Sequence, residues 1–320
     1  MRTLIRILGF TVLAVVLLAL VAWGWAAQTA HARYAKRWTA HDASFPIPFP
    51  LDSAAAAAAA GGADTVALAR AVASGRHLVE SRLICNSCHG DDFGGKVLID
   101  VPFVGYYAAP NLTLGRGGVT AGFSAHDWDL AVRHGIKHTG TTSAMPSNEF
   151  VLLSDHELSD VVAYVRSLPP VDRAIQPPHF GPVFSFLVAT DPKALPAFAI
   201  DQQAAHAVEP PAEAVTLDFG RHLATGCRGC HQENLSGGKM AGDPNMPVVA
   251  NITPHDTGIA KWTQADFIRA MREGRRPDGT AINEAMPWKS FRKMSDTELK
   301  ALWDYLRSVP PVPKGTKPAA

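Results

Sequence analysis

The chain has 320 residues, long enough for two domains of ordinary size. Charged side chains make up 18% of it and the formal net charge is +1, so there is no bulk electrostatic case for binding nucleic acid. That balance still allows local patches that steer a protein partner.

The first predicted element is a run of 21 positions without a charged side chain, Ile7 to Ala27, preceded by Arg2 and Arg6. About 20 apolar residues suffice to span a bilayer as a helix, and Trp23 and Trp25 suit an aromatic belt at the membrane surface. The competing reading is a cleaved leader ending at Ala26-Ala27-Gln28-Thr29-Ala30. The length of the run and the two tryptophans favour a retained anchor over residues 1–30. Residues 31–74 read as a spacer, with Ala54 to Ala60 of low complexity, although an alanine run also forms helix readily.

Cys85-Asn86-Ser87-Cys88-His89 comes next, and Cys227-Arg228-Gly229-Cys230-His231 repeats the pattern; together they use all four cysteines. Cys-x-x-Cys-His is the signature of covalent c-type haem attachment. Two thiols about one helical turn apart can each form a thioether to a porphyrin vinyl group, and the following histidine presents its imidazole to the iron. A zinc site would need the two pairs brought together across a very long insertion. Two covalent haem c groups are therefore expected, with His89 and His231 as proximal ligands. Such attachment takes place outside the cytoplasm, which places the N-terminus inside and residues from about 31 onward in a periplasm.

The rest of the first half is echoed in order by the second. Gly75-Arg76-His77-Leu78 matches Gly220-Arg221-His222-Leu223, and Asn111-Leu112-Thr113 matches Asn251-Ile252-Thr253. Ala144-Met145-Pro146 matches Ala285-Met286-Pro287, and Ser167-Leu168-Pro169-Pro170-Val171 matches Ser308-Val309-Pro310-Pro311-Val312. His89 and Met145 lie 56 residues apart, His231 and Met286 55. Two domains of one fold are expected, 75–171 and 218–312, joined by a proline-rich linker 172–217 and followed by a tail 313–320.

Each half ends in a legible helix. Ser154-x-x-Glu157 and Ser295-x-x-Glu298 are capping boxes followed by apolar residues at helical period, and paired prolines stop both runs. Shorter helices are expected after Ser124-x-x-Asp127 and Thr263-x-x-Asp266, and others just before each cysteine pair. No convincing strand is read. In the linker, His179 to Val188 is conspicuously apolar; it is expected to pack between the haem domains, the alternative being a subunit-docking or membrane-facing patch.

A six-coordinate electron-transfer haem needs a second axial ligand. Met145 is the only methionine between residues 2 and 239, which singles it out in the first half if that ligand is a methionine. In the second half Met286 alone shares its Ala-Met-Pro context, whereas Met271 falls inside a predicted helix and reads as core. His126, His134, His138, His156 and His255 do not recur at matching positions and are assigned surface or structural roles. His77 and His222 recur and read as helix or haem-edge residues.

These residues together resemble the class I c-type cytochromes, specifically membrane-associated dihaem members. Asn251 to Pro254, Trp262-Thr263-x-x-Asp266-Phe267 and Ala285-Met286-Pro287 resemble the cytochrome subunits of periplasmic alcohol and gluconate dehydrogenases. The resemblance implies an all-α fold of two tandem class I cytochrome c domains with an N-terminal transmembrane helix. It also implies His89 and Met145 on one iron, His231 and Met286 on the other. Two departures are visible: those subunits commonly carry three haem motifs, and here Leu114 stands where the Asn-x-Thr-Pro form has proline.

The expected function is single-electron transfer from a dehydrogenase or quinol-oxidising complex to a soluble cytochrome or terminal oxidase. The alternative is a haem enzyme, a dihaem peroxidase or thiosulfate-oxidising cytochrome. A methionine for each iron argues against an open distal site, and no fifth cysteine exists for the thiosulfate chemistry.

Overall fold

The computed structural model describes residues 2–59, 62–240 and 246–318. The end of the alanine run, Ala60 with Gly61, and the last two residues of the expected tail lie outside them. The chain divides into two compact units. One comprises Met1–Ala43, Cys88–Asn148 and Pro170–Ala204; the other comprises Ser44–Ser87, Glu149–Pro169 and Ala205–Ala320. The first repeat contributes to both units, and the second repeat lies wholly in one.

The first unit begins with α1 (Arg2–Ala35), a single helix long and apolar enough, by length and composition, to cross a membrane. Towards its C-terminal end Ala26 and Ala30 are buried. Their small side chains let a second helix, α7 (Pro182–Thr190), approach closely; its Val188 is buried with Ala30 and Leu195. Tyr34 stacks on Phe180, which stacks on Phe184, each pair of ring centroids 4.7 Å apart. The apolar 179–188 stretch therefore packs on α1, where alanines leave room for it.

Strands are present, contrary to the sequence reading. β1 (Lys96–Val101) and β2 (Gly105–Ala109) pair antiparallel, and β3 (His179–Phe180) adds to β2. Val97, Ile99 and Val101 alternate along β1, a β-branched spacing too short to stand out beside the helical periods. In the same unit, α5 (Ala125–Arg133) buries Trp128 and starts after Ser124 as expected, with Ser124 and Asp127 forming a capping box. His134 just after it is buried, its Nδ1 2.9 Å from Gln202 Oε1. Asp129 receives Arg133 Nε at 2.6 Å, both side chains fully buried. Non-repeating His134 is thus structural. The short α8 (Pro196–Ala199) completes this unit.

The second unit contains α2 (Ser53–Ala58), α3 (Ala63–His77), a π-helical turn Leu78–Arg82 and α6 (Asp155–Ser167). It also holds the second repeat: α9 (Leu217–His231), α10 (Gln264–Glu273), α11 (Trp288–Phe291) and α12 (Asp296–Ser308). α6 and α12 start at their expected capping boxes and bury Leu158, Val161 and Val162, and Leu299, Leu302 and Trp303. Each buried leucine contributes about 1.5–3 kcal/mol of apolar transfer. Met271 lies in this core, as its helical position suggested.

The repeated Gly-Arg-His-Leu acquires a reason here. α3 crosses α6 at Gly75, where an added Cβ would sit 1.9 Å from the Asp160 carbonyl oxygen. α9 crosses α12 at Gly220, where it would sit 2.1 Å from that of Ala301. No side chain fits either crossing, so both glycines are dictated by backbone-to-backbone approach.

Candidate haem-binding sites

Each Cys-x-x-Cys-His lies on helix. Cys85 and His89 bound the short α4 (Cys85–His89), while Cys227, Cys230 and His231 form the last turn of α9. Helical geometry sets the two sulfurs of each motif about one turn apart, with the histidine next in line. Both histidines are buried, and burial drives their pKa down, so each ring is held neutral as a metal ligand must be.

Orientation of the rings is fixed in the same way twice. His89 Nδ1 donates to the Pro110 carbonyl at 2.9 Å, and His231 Nδ1 to that of Ala250 at 2.8 Å. This contact selects the tautomer with the proton on Nδ1 and leaves Nε2 unprotonated, the form in which it could ligate a metal. The accepting carbonyls were not read from sequence. Their signal is positional: each stands immediately before the asparagine of a repeated Asn-x-Thr.

That asparagine locks the segment in place. Buried Asn111 donates to the carbonyls of Val171 (2.7 Å) and Arg173 (3.1 Å), and its Oδ1 accepts from Thr113 N–H and Oγ1 at 2.9 and 2.8 Å. Asn251 donates to Val312 O at 2.7 Å and accepts from Thr253 N–H and Oγ1 at 2.9 and 2.8 Å. The echoed Pro-Pro-Val therefore follows from this tie: it carries the backbone carbonyl that the asparagine holds.

The turn after each histidine is also duplicated. Gly95 N–H donates to His89 O and Gly237 N–H to His231 O, both at 2.9 Å. Phe93 and Leu235 are buried with positive φ of 56° and 61°, a conformation bulky residues avoid. Backbone bonds on both sides hold them there, Phe93 N–H to Gly90 O and Leu112 N–H to Phe93 O in the first repeat, with Leu235 and Ile252 matching in the second.

Met145 and Met286 sit on equivalent loops. A bridge pairs Ile136 with Thr142 in one and Arg275 with Ala281 in the other. Ser143 N–H donates to Gly135 O and Ile282 N–H to Gly274 O, each at 2.7 Å, just ahead of the methionine. Both methionines are half-buried. In the second repeat, Met286 and Cys227 both pack on the same hydrophobic core. In the first, His89 and Met145 fall in one compact unit. His77 and His222 lie in α3 and α9, in line with their reading as helix residues, and hydrogen-bond the carboxylates of Glu298 and Glu157.

The donor set fits haem c: paired thiols for thioethers, a neutral imidazole with a fixed tautomer, and a thioether on a structured loop. Haem iron bound there supplies one-electron chemistry; the chain supplies attachment, ring orientation and a buried environment.

Comparison with known proteins agrees. The family model "Cytochrome c" matches residues 219–310, and "Cytochrome C oxidase, cbb3-type, subunit III" matches 70–165. A nicotinate dehydrogenase chain of Pseudomonas putida is 41% identical over 109 residues, 31% of this chain and 9% of that protein. The cytochrome c subunit of a quinone-dependent alcohol dehydrogenase from Gluconacetobacter polyoxogenes is 33% identical over 130 residues, 38% of this chain and 28% of the subunit. A dihaem c-type cytochrome of Cereibacter sphaeroides is 24% identical over 256 residues, 71% of this chain and 82% of that protein. The chain thus spans less than a third of the matched dehydrogenase subunits. With this site geometry and these matches in two successive regions, the chain consists of two cytochrome c domains behind a long apolar N-terminal helix.

Proposed function

We propose that the protein is a dihaem electron carrier. In this reading one haem c is held by Cys85 and Cys88 with His89 and Met145 as axial ligands. The other is held by Cys227 and Cys230 with His231 and Met286. Single electrons enter from a dehydrogenase or quinol-oxidising complex and leave to a soluble cytochrome or terminal oxidase. The apolar helix anchors the chain in the inner membrane and the haem domains, 75–171 and 218–312, work in the periplasm.

The observation that carries this reading is the duplicated ring orientation, His89 to Pro110 and His231 to Ala250, each with a methionine loop of the same hydrogen-bonding pattern. Two equally built sites with a sulfur donor each suit outer-sphere electron passage better than substrate binding at iron. Dehydrogenase cytochrome subunits among the relatives support a dehydrogenase as donor.

The test is spectroscopic. The purified full-length protein should contain two haem c per chain and be low-spin, with no peroxidase turnover. One high-spin haem with steady-state peroxide turnover would overturn the reading.

A further inference from the structure

The repeated histidines that lead into the haem motifs reach across to the other repeat. His77, at the end of α3, lies 2.9 Å from Glu298 at the start of α12. His222, in α9, lies 2.8 Å from Glu157 at the start of α6. The exchange is reciprocal: each repeat's histidine meets the other repeat's capping-box glutamate. Arg82 sits between them, 3.1 Å from Glu157 Oε1 and 3.9 Å from Glu298 Oε1. The side chains of Glu298, Glu157 and His222 are 2%, 6% and 9% exposed, whereas His77 is 40% exposed. All five belong to one compact unit.

We propose that His77–Glu298 and His222–Glu157, with Arg82 between the carboxylates, form a clasp that seats the first repeat's terminal helices on the second repeat. Nothing in the fold of a single cytochrome repeat calls for these contacts, since each glutamate already caps its own helix through Ser154 or Ser295. Two buried carboxylates that merely capped helices would be costly without cationic partners. Here each has one donated from the other repeat, and the pairing is fixed by sequence register in both directions.

Charged groups around the clasp agree with it. Lys293 of the second repeat bonds Glu80 at 2.9 Å beside the π-helical turn. Glu213 adds negative charge near His77, while Arg82 opposes it; Asp160, paired with Arg70 and near His156, flanks Glu157. The hydrogen bond from Glu298 raises the pKa of His77 against the effect of burial. Burial pushes Glu157 up, but the His222 hydrogen bond and the Arg82 charge outweigh it and hold the carboxyl at about 2.

The test uses the full-length protein with both haems, in detergent, as the double variant Glu157→Gln with Glu298→Gln. Glutamine serves a capping box as well as glutamate does, so the helix caps survive and only the charge of the clasp is lost. Amide hydrogen exchange over 74–84 and 217–226 should rise roughly tenfold or more, the effect of losing a charge-assisted hydrogen bond. Haem content and spectra should stay those of the wild type. His77→Gln should remove the pH dependence of exchange between pH 5 and 9, and it provides the same reading should the double variant not fold. Unchanged exchange in both variants overturns the clasp.

Discussion

Replacing Asn251 by alanine isolates the tie that holds the ring-orienting segment around Ala250. Asn251 is 3% exposed and takes part in four hydrogen bonds, donating to Thr257 Oγ1 (3.0 Å) and Val312 O (2.7 Å) and accepting from Thr253 N–H and Oγ1. On truncation the Thr253 hydroxyl can turn to Val312 O, already 3.2 Å away. Three bonds are then unmade. At about 1 kcal/mol net each, the loss is about 3 kcal/mol, a large share of the 5–15 kcal/mol that holds a domain together. Asn251→Asp keeps both acceptances and loses both donations, so it should cost about 2 kcal/mol before the added penalty of a buried charge. Denaturant unfolding followed at the haem absorbance and by far-UV circular dichroism measures both. A loss below about 1 kcal/mol for Asn251→Ala would refute the idea that the Asn-x-Thr echo exists to hold the Pro-Pro-Val segment and, through Ala250, the His231 ring.

Four shorter predictions follow from the same geometry. Gly220→Ala should destabilise by about 1–3 kcal/mol or more, because its Cβ would meet the Ala301 carbonyl oxygen at 2.1 Å; Gly226→Ala, with no atom nearer than 3.9 Å, should instead stabilise α9 by about 0.5–1 kcal/mol, both read by thermal melting. Met145→Ala and Met286→Ala should each abolish the sulfur-to-iron charge-transfer band of one haem only, and loss of neither band would remove the ligand assignment. Fractionation should find the intact chain in membranes, and a mature N-terminus near Ala30 would identify α1 as a leader. The clasp should be firmest in mildly acidic buffer. Glu157, lowered from 4.5 to about 2, contributes about 3 kcal/mol that is present above its ordinary value and lost as pH falls through about 2. His77, raised above 6.5, contributes below that value and loses its contribution as pH rises through the raised one. Hydrogen exchange across the clasp should therefore accelerate at both extremes and be slowest near pH 5–6.

What the amino-acid sequence made legible was whatever acts locally or is written twice. The capping boxes at Ser154 and Ser295 and the helix starts at Ser124 and Thr263 are formed as read, because a cap involves residues three apart. The cysteine and histidine spacing placed both attachment motifs on helix. The echoes marked Gly75, Asn111 and their partners as special without saying why, since the reason lies 60 to 85 residues away: Val171 O for Asn111, Asp160 O for Gly75. The β1–β2 hairpin was missed because none of the echoed motifs falls on it to mark its short period. The seating of 179–188 on α1 was missed because an alanine face has no signature of its own inside a run of apolar residues.

Glu157 and Glu298 show the limit most clearly. In sequence each is fully explained as the last letter of a capping box, and that explanation is correct as far as it goes. A carboxylate has two oxygens, however, and a cap at a buried helix start leaves lone pairs that need a donor. Each glutamate finds that donor in a histidine whose own repeat lies elsewhere in the chain. The repeat pattern preserved both halves of this exchange, His77 with His222 and Glu157 with Glu298, while hiding their pairing, because matching positions between repeats reports what is equivalent and not what touches. Two copies of one fold in a single chain can evolve a joint from residues that each copy already possesses. A buried, charged residue recurring in both copies is then a better pointer to the joint than any residue unique to one of them.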